Sequence, residues 1–164
     1  MVISRCFTVL GILAGSSLAA ASAHAAEADC GKWETAFTSL AGEGEALNTS
    51  FCSAAGGQEF SFEITCGSGS LNLRFMPQIE GDGLTFDKVT VDYAIDGKSH
   101  AVETQFEELD GAFAADIATT DPLIAAMKAG RSAIVTLKDT KAPAYTVPLA
   151  GFTRAISKLI RNCG

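Results

Sequence analysis

Residues 60–75, with the sequence FSFEITCGSGSLNLRF, decide the fold class of this chain. Apolar and polar side chains alternate on both sides of a Gly-Ser-Gly turn, which is typical of a β-hairpin with one face on a core. Pro77 ends the second strand, because proline has no amide to donate to a sheet ladder. The inward face of the first strand carries Phe60, Phe62, Ile64 and Cys66.

The same alternation continues through residues 86–118. Turn residues stand at 80–83, at 96–97 and at 110–111, and Asp96-Gly97 is a dipeptide that tolerates the positive φ of tight hairpin turns. Between these turns lie three alternating segments, which are 86–93, 100–106 and 112–118. We therefore predict an antiparallel meander in the middle of the chain.

A short helix is predicted after this meander. Asp121 can accept hydrogen bonds from the free amides of a helix start, Pro122 suits the first turn, and Gly130 ends the helix. Two further strands follow, at residues 132–137 and 145–149.

The final segment predicts an amphipathic helix. Lys158 and Arg161 lie opposite an apolar stripe, close to the negative end of the helix dipole. The stripe consists of Phe152, Ala155, Ile156, Leu159, Ile160 and Cys163. We expect it to pack on the protein's own core rather than on a membrane or a partner helix, because Cys163 would then meet a disulfide partner.

Residues 30–40 carry two patterns at once. Apolar residues at spacings of three and four, from Cys30 to Leu40, predict a helix ended by Gly42 and Gly44. The alternative is a strand, since Trp33 and its second neighbours also alternate. Residues 41–58 are small and polar, and we predict a loop that carries Cys52.

Residues 1–25 are predicted to be a cleaved signal peptide. Arg5 precedes an apolar run at 7–18, and Ala23-His24-Ala25 suits a cleavage site near Ala25. We expect residues 26–164 to form one disulfide-stapled, β-rich domain that is periplasmic or secreted. Its expected fold is mainly β, of the α+β class: an antiparallel sandwich or flattened barrel with a short helix and a C-terminal helix.

The net charge of the chain limits the classes of partner that it is expected to bind. The formal net charge is −7, so phosphate backbones are repelled and nucleic-acid binding is not expected. A basic partner would be attracted, although net charge also serves solubility. No segment of the mature chain is apolar for long enough to predict a membrane span.

The cysteines predict two disulfides. Cys30, Cys52, Cys66 and Cys163 allow three pairings, which the sequence does not resolve. We favour Cys30 with Cys163, which would tie the chain ends, and Cys52 with Cys66. No CxxC motif is present and His100 is the only mature histidine, so neither a metal site nor a cofactor is expected.

Catalytic residues are not expected either. His100 is the only candidate base, and we expect it to be solvated because it follows a hairpin turn. Glu107 and Glu108 are adjacent on a strand and point opposite ways. Residues 67–70, GSGS, lack the lysine and following helix of a phosphate loop, so they read as a hairpin turn. A small hydrolase without a recognisable motif is the remaining enzymatic alternative.

The C-terminal third carries a family resemblance. Residues 121–137, DPLIAAMKAGRSAIVTL, and 145–164, YTVPLAGFTRAISKLIRNCG, resemble the end of the invasion-associated locus B family of exported bacterial proteins. Relatives of that family include small periplasmic accessory proteins of type VI secretion. The matching positions are Leu149, Gly151, Phe152, Ala155 and Leu159. The resemblance implies a periplasmic β-rich domain without known chemistry, sometimes linked to host colonisation.

Residues 60–75 are also similar to the opening of the periplasmic inhibitors of C-type lysozyme. That resemblance implies a small disulfide-bonded β-barrel that inserts a loop into the lysozyme cleft. An acidic inhibitor would be steered to basic lysozyme. The serine-glycine-rich loop of those inhibitors is not present after the meander. Our main expectation is a non-enzymatic exported protein that binds another protein or an envelope component, and the lysozyme inhibitor is the alternative.

Overall fold

The computed structural model describes residues 30–40, 44–54, 59–67, 69–79 and 88–163. Within these ranges the chain forms nine strands and two helices. The strands are β1 (Glu34–Leu40), β2 (Gly44–Ser53), β3 (Phe60–Gly67), β4 (Ser70–Pro77), β5 (Lys88–Ile95), β6 (Lys98–Glu107), β7 (Ala112–Ala118), β8 (Ser132–Leu137) and β9 (Tyr145–Pro148). The helices are α1 (Pro122–Ala129) and α2 (Phe152–Arg161). The predicted signal peptide and the predicted turn at 80–83 lie outside the described residues.

The hairpin predicted from residues 60–75 is confirmed. Strands β3 and β4 pair antiparallel, with Phe62 opposite Phe75 and Ile64 opposite Leu73. These inward side chains are buried, whereas their neighbours along each strand are only half-buried. Gly69 has φ +87° in the turn, a backbone conformation that favours glycine.

The predicted meander is confirmed for β5, β6 and β7, which pair in sequence as antiparallel neighbours. Asp96 and Gly97 both have positive φ in the β5–β6 turn, as the Asp-Gly signal predicts. The sheet order, however, is β1-β2-β3-β4-β7-β6-β5-β8-β9. Strand β7 lies beside β4, so β4 and β5 are consecutive in sequence without being neighbours in the sheet.

The two halves of the sheet face each other across an aromatic core. Phe60 and Phe75, on β3 and β4, contact Tyr145 of β9 with ring centroids 5.6 Å and 5.2 Å apart. Phe62 of β3 contacts Tyr93 of β5 at 6.0 Å. The end strands β1 and β9 do not pair with each other, so the sheet is not closed into a barrel. The fold is therefore mainly antiparallel β, of the α+β class, and sandwich-like, as expected.

The two helices predicted after the meander are confirmed. Asp121 accepts a hydrogen bond from the Leu123 amide at 2.8 Å, which caps α1, and Gly130 follows its last turn. Helix α2 buries the residues of the predicted stripe that face β1, β2 and β3, namely Phe152, Ala155, Ile156 and Leu159. The hydroxyl of Thr35 donates to the Ala155 carbonyl at 2.9 Å, which fixes α2 against the first strand.

The helix predicted from Cys30 to Leu40 is wrong, and so is the predicted loop where it covers 44–53. Residues 34–40 and 44–53 form the hairpin of β1 and β2, while 41–43 and 55–58 lie outside the described residues. The inner face of β2 is polar at Thr49, whose hydroxyl bonds Thr35 at 3.0 Å. Asn48 is likewise buried and donates to Thr38 at 3.0 Å. Because these buried groups are satisfied, a polar stretch can serve as a core strand.

The favoured disulfide pairing is also wrong. Cys30 pairs with Cys52, with Cα atoms 4.7 Å apart, and Cys66 pairs with Cys163 at 5.5 Å. The β1–β2 hairpin brings Cys30 beside Cys52, where the Gly31 amide donates to the Cys52 carbonyl at 2.8 Å. Helix α2 starts near Trp33 and its ten residues carry Cys163 about 15 Å away from there. Cys163 therefore reaches β3 rather than the start of the chain.

Candidate binding surface

His100, the predicted candidate base, was expected to be solvated, but it is half-buried. It lies opposite Tyr93 on the inner face of the sheet, with Nε2 fully buried. Nε2 has no hydrogen-bond partner in the part of the chain that the structure describes. No carboxylate or serine of those residues therefore forms a catalytic triad with it.

Two buried phenols lie in the same cross-strand row as His100. Tyr93 pairs with Val135 of β8, and Val135 pairs with Tyr145 of β9. Burial raises the pKa of both tyrosines, and neither hydroxyl has a hydrogen-bond partner among the described residues. The row thus holds three buried polar atoms without a hydrogen-bond partner among the described residues, with apolar Val135 between the tyrosines.

The other candidates from the sequence have structural roles. Glu107 and Asp110 both pair with Arg74, at 2.8 Å and 2.5 Å, which ties the β6–β7 turn to β4. Ser70 donates to the Gly67 carbonyl at 3.1 Å, as a hairpin turn residue. Across the described ranges, no three histidine, cysteine or acidic side chains cluster in a way that could hold a metal ion.

Strand β1 lies at one end of the sheet and has a free edge. Among the described strands, the seven residues of β1 pair only with β2. The Thr35 carbonyl accepts from Lys158 Nζ at 3.0 Å, so this carbonyl points away from β2. Because backbone groups alternate in direction along an antiparallel strand, the amide and carbonyl of Phe37 also face the free edge. The Phe37 side chain is 69% exposed.

A cationic groove of about 420 Å³ runs between β1 and α2. It is lined by Lys32, Trp33, Glu34, Thr35, Ala150, Gly151, Arg154, Ala155 and Lys158. The guanidinium group of Arg154 has no ion pair or hydrogen bond with any other described residue. Together with Arg161, the groove cations Arg154 and Lys158 form a stripe along the exposed face of α2, which we call the basic stripe.

The basic stripe stands out because α2 contains no acidic residue and the chain as a whole has a net charge of −7. The sequence pattern located Lys158 and Arg161 opposite the apolar face, but it related them to the helix dipole alone. The groove could not be predicted, since its other wall is β1, which the sequence favoured as a helix. Trp33, by contrast, is buried at 4% exposure, as expected for a core aromatic.

None of the helices among the described residues is long and apolar enough to cross a membrane. No protein-family model, curated protein or solved structure matches this chain. The resemblances to the invasion-associated locus B family and to the lysozyme inhibitors stay predictions.

Proposed function

We propose that this chain is a non-enzymatic exported protein, periplasmic or secreted, that binds another protein through the free edge of β1. The observation that carries this proposal is that the backbone groups of Thr35 and Phe37 face away from β2 and pair with no other described strand, with a large exposed aromatic side chain on the same strand. A host-interaction role is what the resemblance to the invasion-associated locus B family implies.

An unpaired strand edge is a template for another strand. Proteins usually protect such edges with proline, bulges, short strands or a covering segment. Strand β1 is seven residues long and contains no proline. An extended segment of a partner that adds to β1 would gain main-chain hydrogen bonds, and Phe37 would supply apolar contact beside them.

An exported location is supported by the two disulfides, which persist in oxidising compartments and are rare in the cytosol. Both lie on the β1 side of the fold: one precedes β1, and the other anchors α2 on β3. A rigid edge loses little conformational entropy when a partner strand is added, which favours binding.

Site-specific photo-crosslinking in the producing cells tests this proposal. We would replace Phe37 with p-benzoylphenylalanine, irradiate, and identify adducts by mass spectrometry. Leu109 is the matched control, because it is 97% exposed but lies in the β6–β7 turn. We expect a discrete protein adduct from position 37 that is absent from position 109. No adduct, equal adducts at both positions, or an adduct only with a lipid or glycan would contradict a protein partner on β1.

A further inference from the structure

We infer that the partner strand carries carboxylates at alternate positions. We also infer that Lys158 acts as a guard, meaning that it covers the edge of β1 and is displaced when such a strand binds. This inference rests on the proposed function and names the chemistry of the partner. It is carried by the hydrogen bond from Lys158 Nζ to the Thr35 carbonyl and by the direction in which the basic stripe runs.

Lys158 occupies the acceptor that an incoming strand needs. Its ammonium group donates to Thr35 O at 3.0 Å, where the amide of a partner strand would otherwise bind. A neutral strand would have to displace the lysine without giving it another acceptor. A strand with a carboxylate beside this point offers the ammonium group a charge-assisted bond in exchange.

Helix α2 runs beside β1, so Arg154 and Lys158 of the stripe lie along the edge. The ring of Phe152 contacts Trp33 at 4.8 Å, and one turn later the Ala155 carbonyl accepts from Thr35. Arg154 and Lys158 are four residues apart, which is about 6 Å of helical rise. Alternate side chains on one face of a strand are about 6.6 Å apart. Successive carboxylates of a partner strand can therefore meet successive cations of the stripe.

The local charge favours this partner although the whole protein is acidic. Glu34 is the only carboxylate residue among those that line the groove, against three cations. At physiological salt, charges more than about 8 Å apart are largely screened. The stripe therefore dominates what an incoming strand meets at β1, while the acidic side chains elsewhere contribute little.

Three peptides test the inference: acetyl-Thr-Glu-Val-Glu-Thr-Glu-Val-Thr-amide and its versions with every Glu replaced by Gln or by Lys. Binding is followed by NMR, through the amide signals of Thr35 and Phe37. We expect the Glu peptide to bind about five to ten times more tightly than the Gln peptide, because two or three exposed ion pairs form. The Lys peptide should bind most weakly of the three.

The variant Lys158→Met keeps the length of the side chain and removes its charge. We expect it to bind the Gln peptide more tightly than the wild type does and to lose part of the preference for Glu. The control is Lys138→Met, an exposed lysine in the β8–β9 connection, which should keep the wild-type preference. Variants that keep the wild-type amide spectrum outside β1 and α2 are correctly folded.

The possible failures are distinguishable. If no peptide shifts the β1 amides, the proposed use of this edge is wrong, and the inference falls with it. If the Glu and Gln peptides bind equally, or Lys158→Met keeps the preference, the edge binds strands but the guard role of Lys158 is wrong. Tightest binding by the Lys peptide would show that the net charge outweighs the stripe and would overturn the inference.

Discussion

The two edges of the sheet, β1 and β9, are held in place by different means. Strand β9 has four residues, ends at Pro148, and is packed from within by Tyr145 and Val147. Strand β1 has seven residues and follows Cys30 of the Cys30–Cys52 disulfide, and on its outer side the Thr35 carbonyl accepts from Lys158. The β9 edge is therefore closed by proline and packing. The β1 edge is held at its start by a disulfide and covered by a long, flexible lysine side chain.

This difference indicates how a sheet can keep one edge available without losing its shape. Proline has no backbone amide to donate, so a partner strand cannot form that hydrogen bond at its position. A lysine hydrogen bond can be exchanged, and it deters pairing only while no better acceptor for the lysine arrives. Trp33 joins the two regions, because its Nε1 donates to the Pro148 carbonyl at 2.7 Å.

The largest effect is expected from the disulfide that anchors α2. Loop-entropy estimates give about 4.7 kcal/mol for Cys66–Cys163, with 97 residues of separation, and about 3.4 kcal/mol for Cys30–Cys52, with 22. Cys66→Ala with Cys163→Ala should therefore lower the free energy of unfolding more than Cys30→Ala with Cys52→Ala. Urea unfolding of both double variants measures the order, and the reverse order would show that the β1 side is stabilised mainly at its start.

The packing that supports the β9 edge is tested by Gly130→Ala. A Cβ at this position would lie 2.5 Å from Ile95 Cγ2 and 3.2 Å from Leu149 Cδ1, just beyond β9. We expect a loss of about 1–3 kcal/mol from overpacking. Gly67→Ala is the control, because a Cβ there meets nothing within 4 Å of the described atoms. Equal thermal midpoints for the two variants would mean that the β9 side accommodates an added methyl group as readily as a hairpin turn does.

The smallest effects distinguish polar groups at the two edges. The Thr35 hydroxyl is bonded, whereas the Tyr145 hydroxyl has no partner among the described residues. Thr35→Val should cost about 1 kcal/mol, and Tyr145→Phe should stabilise by up to about 1 kcal/mol at neutral pH. Denaturant titration measures both signs. A destabilising Tyr145→Phe would show that its hydroxyl is satisfied in solution.

The same phenols predict a dependence on alkaline pH. Burial raises the pKa of Tyr93 above its usual value of 10.0, so the folded state keeps a proton that the unfolded chain loses. Stability is therefore complete below pH 10 and falls above it, by at most about 1.4 kcal/mol per pH unit for each phenol. Tyr93→Phe should flatten this fall in unfolding experiments between pH 9 and about 11.

Local signals account for the parts of the fold that could be predicted. The strands at Phe60–Gly67 and Ser70–Pro77 alternate strictly, and Asp121 with Pro122 marks the start of α1. The β1–β2 hairpin could not be recognised, because Thr35, Asn48 and Thr49 are polar and become compatible with burial only through hydrogen bonds to other elements. Because β1 was not recognised as a strand, the sequence did not predict the groove between β1 and α2.

The amino-acid sequence by itself determined the β-rich class, the hairpin at 60–75, both helices and the presence of four cysteines for two disulfides. These properties depend on period, caps and turn residues, which act within a few neighbouring positions. Only the tertiary structure decided the sheet order, the pairing of Cys66 with Cys163 and the contact of Lys158 with the edge of β1. Each of these depends on contacts between residues far apart in the chain, and so on how the sheet folds over its own aromatic core.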